Sequence, residues 1–136
     1  MFPRGVSVQV VHNAIDAGRF RFSSSIRNRK RASLGIPEDR LVLLFAGRLD
    51  PQKNPLFLIK VFRELSDRDP NSTLLMAGDG MMHNEIECAI QDNGLSEKVQ
   101  LLGNRQDISE LMQAADAFLL PSLFEGLGIV LVEAQA

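Results

Sequence analysis

The chain has 136 residues, 45% of them apolar and 24% charged, which suits one soluble globular domain able to bury roughly 65–70% of its unfolded surface and leaves no room for a complete two-domain enzyme. A single cysteine, Cys88, excludes a disulfide framework and a cysteine-based zinc site and fits a reducing, cytoplasmic setting; no stretch nears the roughly 20 apolar residues of a membrane span, and the start Met1-Phe2-Pro3-Arg4 has no apolar signal core. Fifteen basic and seventeen acidic side chains leave a net charge of -2, which argues against a nucleic-acid binder, and the absence of Trp and Tyr excludes a sugar-binding module built on such platforms.

The charge is uneven: residues 1–40 carry eight basic and three acidic groups, hence +5, and residues 41–136 carry seven and fourteen, hence -7. In chain order, Val6–Val11 alternates and is β-branched, which predicts a strand, and His12–Asp16 a loop. Residues 20–34 suit a helix, with Gly35 as its stop and Pro37 beyond. The unbroken apolar run Leu41–Ala46 predicts a strand buried on both faces. Gly47–Asn54 is a loop, and Pro55 opens a helix with Leu56, Ile59, Val61, Phe62 and Leu65 as its apolar stripe.

The cycle then repeats. Thr73–Ala77 is a buried strand, Gly78-Asp79-Gly80 a turn, residues 81–93 a helix closed by Asn93-Gly94, and Lys98–Leu102 a short strand. Asp107, with Glu110 three residues on, predicts a capping box for a helix through Ala114. Ala117–Leu120 is the last strand, Pro121–Gly128 a loop, and Ile129 begins a final helix. Five strands alternating with helices imply an α/β fold: a Rossmann-like parallel sheet with helices on both faces. Ligands of such folds bind at the carboxyl ends of the strands, which singles out loops 12–18, 47–54, 78–80, 103–107 and 121–128.

Two of these loops carry suggestive chemistry. Arg48 and Lys53 follow a buried strand; a guanidinium that forks onto phosphate oxygens and a mobile ammonium together suit a diphosphate, although surface charge alone explains either one. Glu125-Gly126-Leu127-Gly128-Ile129 also follows a strand and opens a helix, so its glycines permit close backbone approach and its first N–H groups can face phosphate. Glu133, eight residues after Glu125, can accept bonds from ribose hydroxyls. A glycosidase-type carboxylate pair is disfavoured, because the nearby Arg and Lys would keep both glutamates ionised. The plainer alternative makes Glu125 a helix-dipole partner and Glu133 a solvated residue.

Taken together, Phe45-Ala46-Gly47-Arg48-Leu49 with Lys53-Asn54, then Ala77-Gly78-Asp79-Gly80, then Leu102-Gly103, then Pro121-Ser122 with Glu125-Gly126-Leu127-Gly128 and Glu133, resemble the retaining GT-B glycosyltransferases of family 4 (glycosyl transferases group 1). The resemblance covers nearly the whole chain but only the C-terminal, donor-binding half of such an enzyme. It implies that residues 1–136 form a nucleotide-sugar donor-binding domain of a longer protein. That protein would move a hexosyl group, with retention, from a nucleoside-diphosphate sugar (UDP-linked) to a glycan or lipid-linked acceptor.

The resemblance assigns Arg48 and Lys53 to the donor diphosphate, Glu125 to hydroxyls of the transferred sugar and Glu133 to the ribose. Backbone around Leu127–Ile129 would face sugar and phosphate, with Gly47 and Gly78 beside them, and Gly103, Asn104, Arg105 and Gln106 would edge the base, Arg105 itself being free to point into solvent. It implies no metal or other cofactor, since positive side chains take that place. His12-Asn13-Ala14 departs from the proline and glycine that the family often shows around this asparagine. The N-terminal acceptor domain is expected outside the chain.

Rival readings are a sugar-nucleotide epimerase domain of the same architecture and an inactive nucleotide-binding fragment. His12 and His83 have no partners at metal spacing, and Cys88 among Ile86, Ala89 and Ile90 reads as core or near it. The run Arg27-Asn28-Arg29-Lys30-Arg31 reads as a solvated helix face, with attraction to an anionic membrane surface as the second reading.

Overall fold

The two most apolar stretches of the chain lie side by side in the middle of one sheet. The structure, a computed structural model, describes residue 9 and residues 13–136. Its elements are α1 (Ala17–Phe20), α2 (Ser24–Ser33), β1 (Leu41–Ala46), a 3-10 turn (Pro51–Lys53), α3 (Pro55–Arg68), β2 (Ser72–Ala77), α4 (His83–Asp92), β3 (Val99–Gly103), α5 (Ile108–Ala114), β4 (Ala117–Phe118) and α6 (Ile129–Ala134). The four strands run parallel in the order β3-β2-β1-β4, with Leu41 to Ala46 facing Ser72 to Ala77 residue for residue. Of the strand expected over Val6–Val11 only Gln9 is described, exposed and in no strand; the rest of it, and His12, lie outside the described residues.

Period-two alternation divides the core. Leu43, Phe45, Leu74 and Met76 face α3 and α4, where Leu58, Ile59, Phe62, Ile86 and Ile90 close over them. Val42, Leu44, Ala46, Leu75 and Ala77 face the other way, onto Ile36 and Leu111, with Phe118 and Val130 packed at the edge. Fully covered on both sides, these strands need no polar alternation, which is why they read as continuous apolar runs.

The helix expected over 20–34 is two helices, because residues 21–23 leave the helical path and Ser23 N–H donates instead to Gln113 Oε1 of α5 at 2.9 Å. The stop at Gly35 takes the expected form: φ is +67°, Gly35 N–H donates to the Ala32 carbonyl, Ile36 N–H donates to the Arg31 carbonyl, and Ile36 is buried.

The basic run of α2 is not a solvated face. Arg27 Nη1 donates to the carbonyls of Gln113, Ala114 and Ala115 at 3.1, 3.2 and 2.8 Å, and Arg31, only 4% exposed, donates through Nε to Ala114 O at 2.9 Å. Both arginines meet Asp116, which also accepts the Val42 N–H at 2.7 Å. The C-terminal carbonyls of α5, which no helical N–H can reach, are thus capped by cations that complement the helix dipole. Burial opposes the charge of Asp116, but the Val42 N–H and the Arg27 guanidinium outweigh it and hold the carboxyl below its ordinary value. Lys30 meets Asp107 and Glu110, and Arg29 stands 3.8 Å from Glu110, so each of the four cations has a carboxylate partner and Arg29 alone among them stays mostly in solvent.

Two further expectations are corrected. Asp107 makes no side-chain cap on α5, because its carboxylate is taken by Lys30 and Arg105. Cys88 is exposed: on α4 it lies two residues from Ile86 and Ile90, which take the buried face.

Candidate functional site

The carboxyl ends of β1, β2 and β3 are held at one level by backbone bonds that run past the strands. Gly47 N–H donates to Ala77 O at 3.0 Å, Gly78 N–H to Gly103 O at 2.8 Å, Leu49 N–H to Asp79 O at 3.0 Å, and Met82 N–H to Leu49 O at 3.0 Å. This close approach depends on glycine. Gly78 sits at φ +137°, and a Cβ there would stand 1.9 Å from the Gly47 carbonyl oxygen; at Gly80 it would stand 2.4 Å from that of Leu49.

After Gly47 the chain turns through the 3-10 turn. Asp50 accepts the Lys53 N–H at 3.1 Å, and Asn54 takes the left-handed conformation at φ +52° just before Pro55 starts α3. Arg48 is thereby left projecting, its side chain 73% exposed with one carboxylate contact, to Asp50 at 3.1 Å. Lys53 is held differently: its Nζ lies 2.6 Å from Glu125 Oε1, and the bond keeps the Glu125 carboxyl below its ordinary value. Two ties to the backbone run beside this pair, one from main chain, Leu123 N–H to Gln52 O at 2.8 Å, and one from a side chain, Gln52 Nε2 to Phe124 O at 3.2 Å.

The strand ends frame a cleft of about 430 Å³. Of the residues singled out in the sequence, Gly47, Arg48, Gly78, Asn104, Arg105 and Glu133 line it. Gly103, at φ +63°, lies behind the lining and receives the Gly78 N–H. Lys53 and Glu125 are brought together, but as a pair outside the lining, and Gly126, Leu127, Gly128 and Ile129 are outside it as well. The first N–H groups of α6 turn back on their own loop: Ile129 N–H donates to Leu127 O and Leu131 N–H to Gly128 O, both at 2.8 Å. Val130 and Glu133 are the residues that α6 contributes to the cleft.

Gln106 lines the cleft as well, and Arg19, Phe20, Asp79 and Ser109 do so without having been given a role from the sequence. Asp79 and Gln106 lay within flagged loops. Arg19 and Phe20 stand just beyond the flagged loop 12–18, and no local pattern marks them; Arg19 reaches the cleft because its Nη2 meets Gln106 O at 3.4 Å across the fold. Arg105 is an exposed residue as foreseen, yet it is ordered by Asp107 and faces the cleft. His83 Nδ1 stands 3.4 Å from Asp79 Oδ1, and among the described residues no three His, Cys, Asp or Glu side chains converge as metal ligands.

Chemically, the cleft combines an open guanidinium fork on Arg48 with two carboxylates, Asp79 and Glu133, able to accept from hydroxyls, and a planar guanidinium on Arg105. Glu125, ionised and bound to Lys53, is poorly placed to act as a proton donor.

The family described as glycosyl transferases group 1 matches residues 26–136, and the chain belongs to it. EpsF of Bacillus subtilis is 39% identical over 129 residues, covering 95% of this chain and 34% of that protein. The UDP-Gal:alpha-D-GlcNAc-diphosphoundecaprenol alpha-1,3-galactosyltransferase of Escherichia coli is 33% identical over 134 residues, covering 96% and 35%. The crystal structure of Anabaena HepE in complex with UDP-glucose superposes with a TM-score of 0.82 at 30% identity, over 93% of this chain and 35% of that one. The chain therefore spans about a third of the length of these relatives, and its α/β fold is that of GT-B glycosyltransferases.

Proposed function

Proceeding from membership of glycosyl transferases group 1, we propose that residues 1–136 are the donor-binding part of a longer, retaining glycosyltransferase that takes a hexosyl group from a UDP-linked sugar. The observation that carries this reading is the convergence of Arg48, Arg105 and Glu133 on one cleft at the carboxyl ends of a parallel sheet. In this reading the Arg48 guanidinium forks onto the diphosphate and Glu133 accepts from the ribose. Lys53 exchanges its partner Glu125 for a phosphate oxygen, which frees Glu125 to accept from the transferred sugar. As the glycosidic bond stretches, negative charge gathers on the departing diphosphate, and Arg48 and Lys53 stabilise it without a metal.

The acceptor, glycan or lipid-linked, meets the sugar from the part of the enzyme outside this chain, at the cytoplasmic side. The names of two relatives support a uridine diphosphate donor: a galactosyltransferase with a UDP-Gal donor and a crystal structure holding UDP-glucose.

Calorimetric titration of the chain with UDP, UDP-glucose, GDP-mannose and uridine tests the reading. The expected result is binding of UDP and UDP-glucose without sugar transfer, and a loss on Arg48→Ala that is larger for UDP than for uridine. Equal losses for UDP and uridine would remove Arg48 from the diphosphate, and transfer by this chain alone would overturn the half-enzyme reading.

A further inference from the structure

Two of the three arginines that line the cleft, Arg48 and Arg105, are in different states. Arg48 meets a single carboxylate and is largely in solvent. Arg105 has its fork filled: Nε donates to Asp107 Oδ1 at 2.8 Å and Nη2 to Asp107 Oδ2 at 2.6 Å. Asp107 is gripped from behind by Lys30 Nζ at 2.7 Å, and Lys30, its side chain 12% exposed, also meets Glu110 Oε2 at 2.8 Å. A relay therefore runs from α2 through Asp107 to the cleft.

Asp107 takes two of the five guanidinium N–H groups of Arg105, along its Nε/Nη2 edge, and its carboxylate sets a negative charge beside any phosphate that would approach. The two-point grip also holds the guanidinium plane in one orientation, and such a plane is a stacking surface for an aromatic ring. The relay also exceeds what docking α2 onto α5 requires, since Arg27 and Arg31 already do that through Asp116 and the α5 carbonyls. Asp107 moreover gives up the side-chain cap that its place before α5 would favour.

We propose that Lys30 and Asp107 are positioning residues that hold the Arg105 guanidinium as a stacking plane for the nucleobase of the donor. Neither lines the cleft; both act through Arg105. The proposal rests on reading the cleft as a nucleoside-diphosphate site.

The test titrates the full chain with UDP and with inorganic pyrophosphate, and records the ultraviolet difference spectrum of bound uracil. Arg105→Ala, Asp107→Asn and Lys30→Ala are each expected to weaken UDP roughly 3- to 10-fold and to diminish the uracil stacking signal, with pyrophosphate affinity unchanged or increased. Lys30→Arg, which keeps a cation on Asp107, is expected to restore both UDP affinity and the signal. UDP binding and spectrum unaltered in Lys30→Ala and Arg105→Ala would overturn the proposal, as would a parallel loss for pyrophosphate, which would put Arg105 on the phosphates. A parent chain that binds neither UDP nor pyrophosphate would overturn the reading of the cleft, and the proposal with it. Arg105 is an exposed loop residue, so Arg105→Ala keeps the test decisive even if Asp107→Asn fails to fold.

Discussion

The loop Gly78–Gly80 and the loop Glu125–Gly128 look alike as sequence, each two glycines around one other residue, yet they are opposites in space. A side chain at Gly78 or Gly80 would strike the backbone of the Gly47–Leu49 segment, whereas nothing lies within 4 Å of a Cβ built at Gly126. The first loop is part of a rigid seat made of main chain, bonded strand end to strand end. The second hangs from two hydrogen bonds to Gln52 and the Lys53–Glu125 pair, with Leu123, Phe124 and Leu127 each more than 60% exposed. A glycine pattern thus marks two different needs: close approach of backbones in one place, freedom of the chain in the other.

Substitutions can break that contrast, and the largest effect is expected at Gly78. Gly78→Ala combines a steric overlap with a backbone conformation that L residues rarely adopt, so a loss above about 4 kcal/mol is expected by urea denaturation; a loss under about 1 kcal/mol would show that the two loops can part easily. Next is the brace behind the seat. Asp116→Asn leaves Arg31, 4% exposed, without its carboxylate, and a loss of about 3 kcal/mol is expected, at the low end for a buried pair because Asp116 itself is part-exposed.

The same carboxyl predicts a pH trend. Its folded-state pKa lies below the ordinary value, so its stabilisation is present above the ordinary carboxylate range and is lost as pH falls through the lowered folded value. Melting followed by circular dichroism in Asp116→Asn should therefore show a flatter acid limb than in the parent chain.

Arg48→Ala is expected to weaken UDP about 10-fold, or about 1.4 kcal/mol, with the melt nearly unchanged, because the side chain is largely in solvent and its ion pair with Asp50 is exposed; Arg48→Lys should restore only part, since an ammonium cannot fork. The smallest effect is at Gly126, where Ala fits and restricts the unfolded chain. A gain of about 0.4–1 kcal/mol is expected, and a clear loss would mean that the second loop is as tightly specified as the first.

The layered fold was legible because strands covered on both faces leave an unmistakable trace: Leu41–Ala46 is a strand with the bounds foreseen, Gly35 ends its helix as foreseen, and Pro55 opens α3. What local pattern could not carry was pairing across the chain. The cations of α2 look solvated until Asp116, 85 residues on from Arg31, meets them, and Asp107 looks like a cap until Lys30 and Arg105 claim it. The cleft was half legible for the same reason. Loops at strand ends could be flagged from topology, but Arg19 and Phe20 reach it only through tertiary packing, and the Lys53–Glu125 pair joins two flagged loops without lining the cavity. Cys88 was misplaced because apolar neighbours two residues away on a helix lie on a different face.

The ties between Gln52–Lys53 and the segment Leu123–Glu125 have a practical consequence for protease sensitivity. The chain from Leu119 to Gly128 has neither helix nor strand, and it offers Leu123, Phe124 and Leu127, side chains that a chymotrypsin-like protease accepts, at its surface. Nicking there should be governed by how often those few contacts let go. Removing one of them in Lys53→Ala should hasten the cut, and any ligand that draws Lys53 away from Glu125 should either hasten it in the same way or, by gripping both loops, slow it, so that a digestion time course reports on which side of the pair the ligand sits.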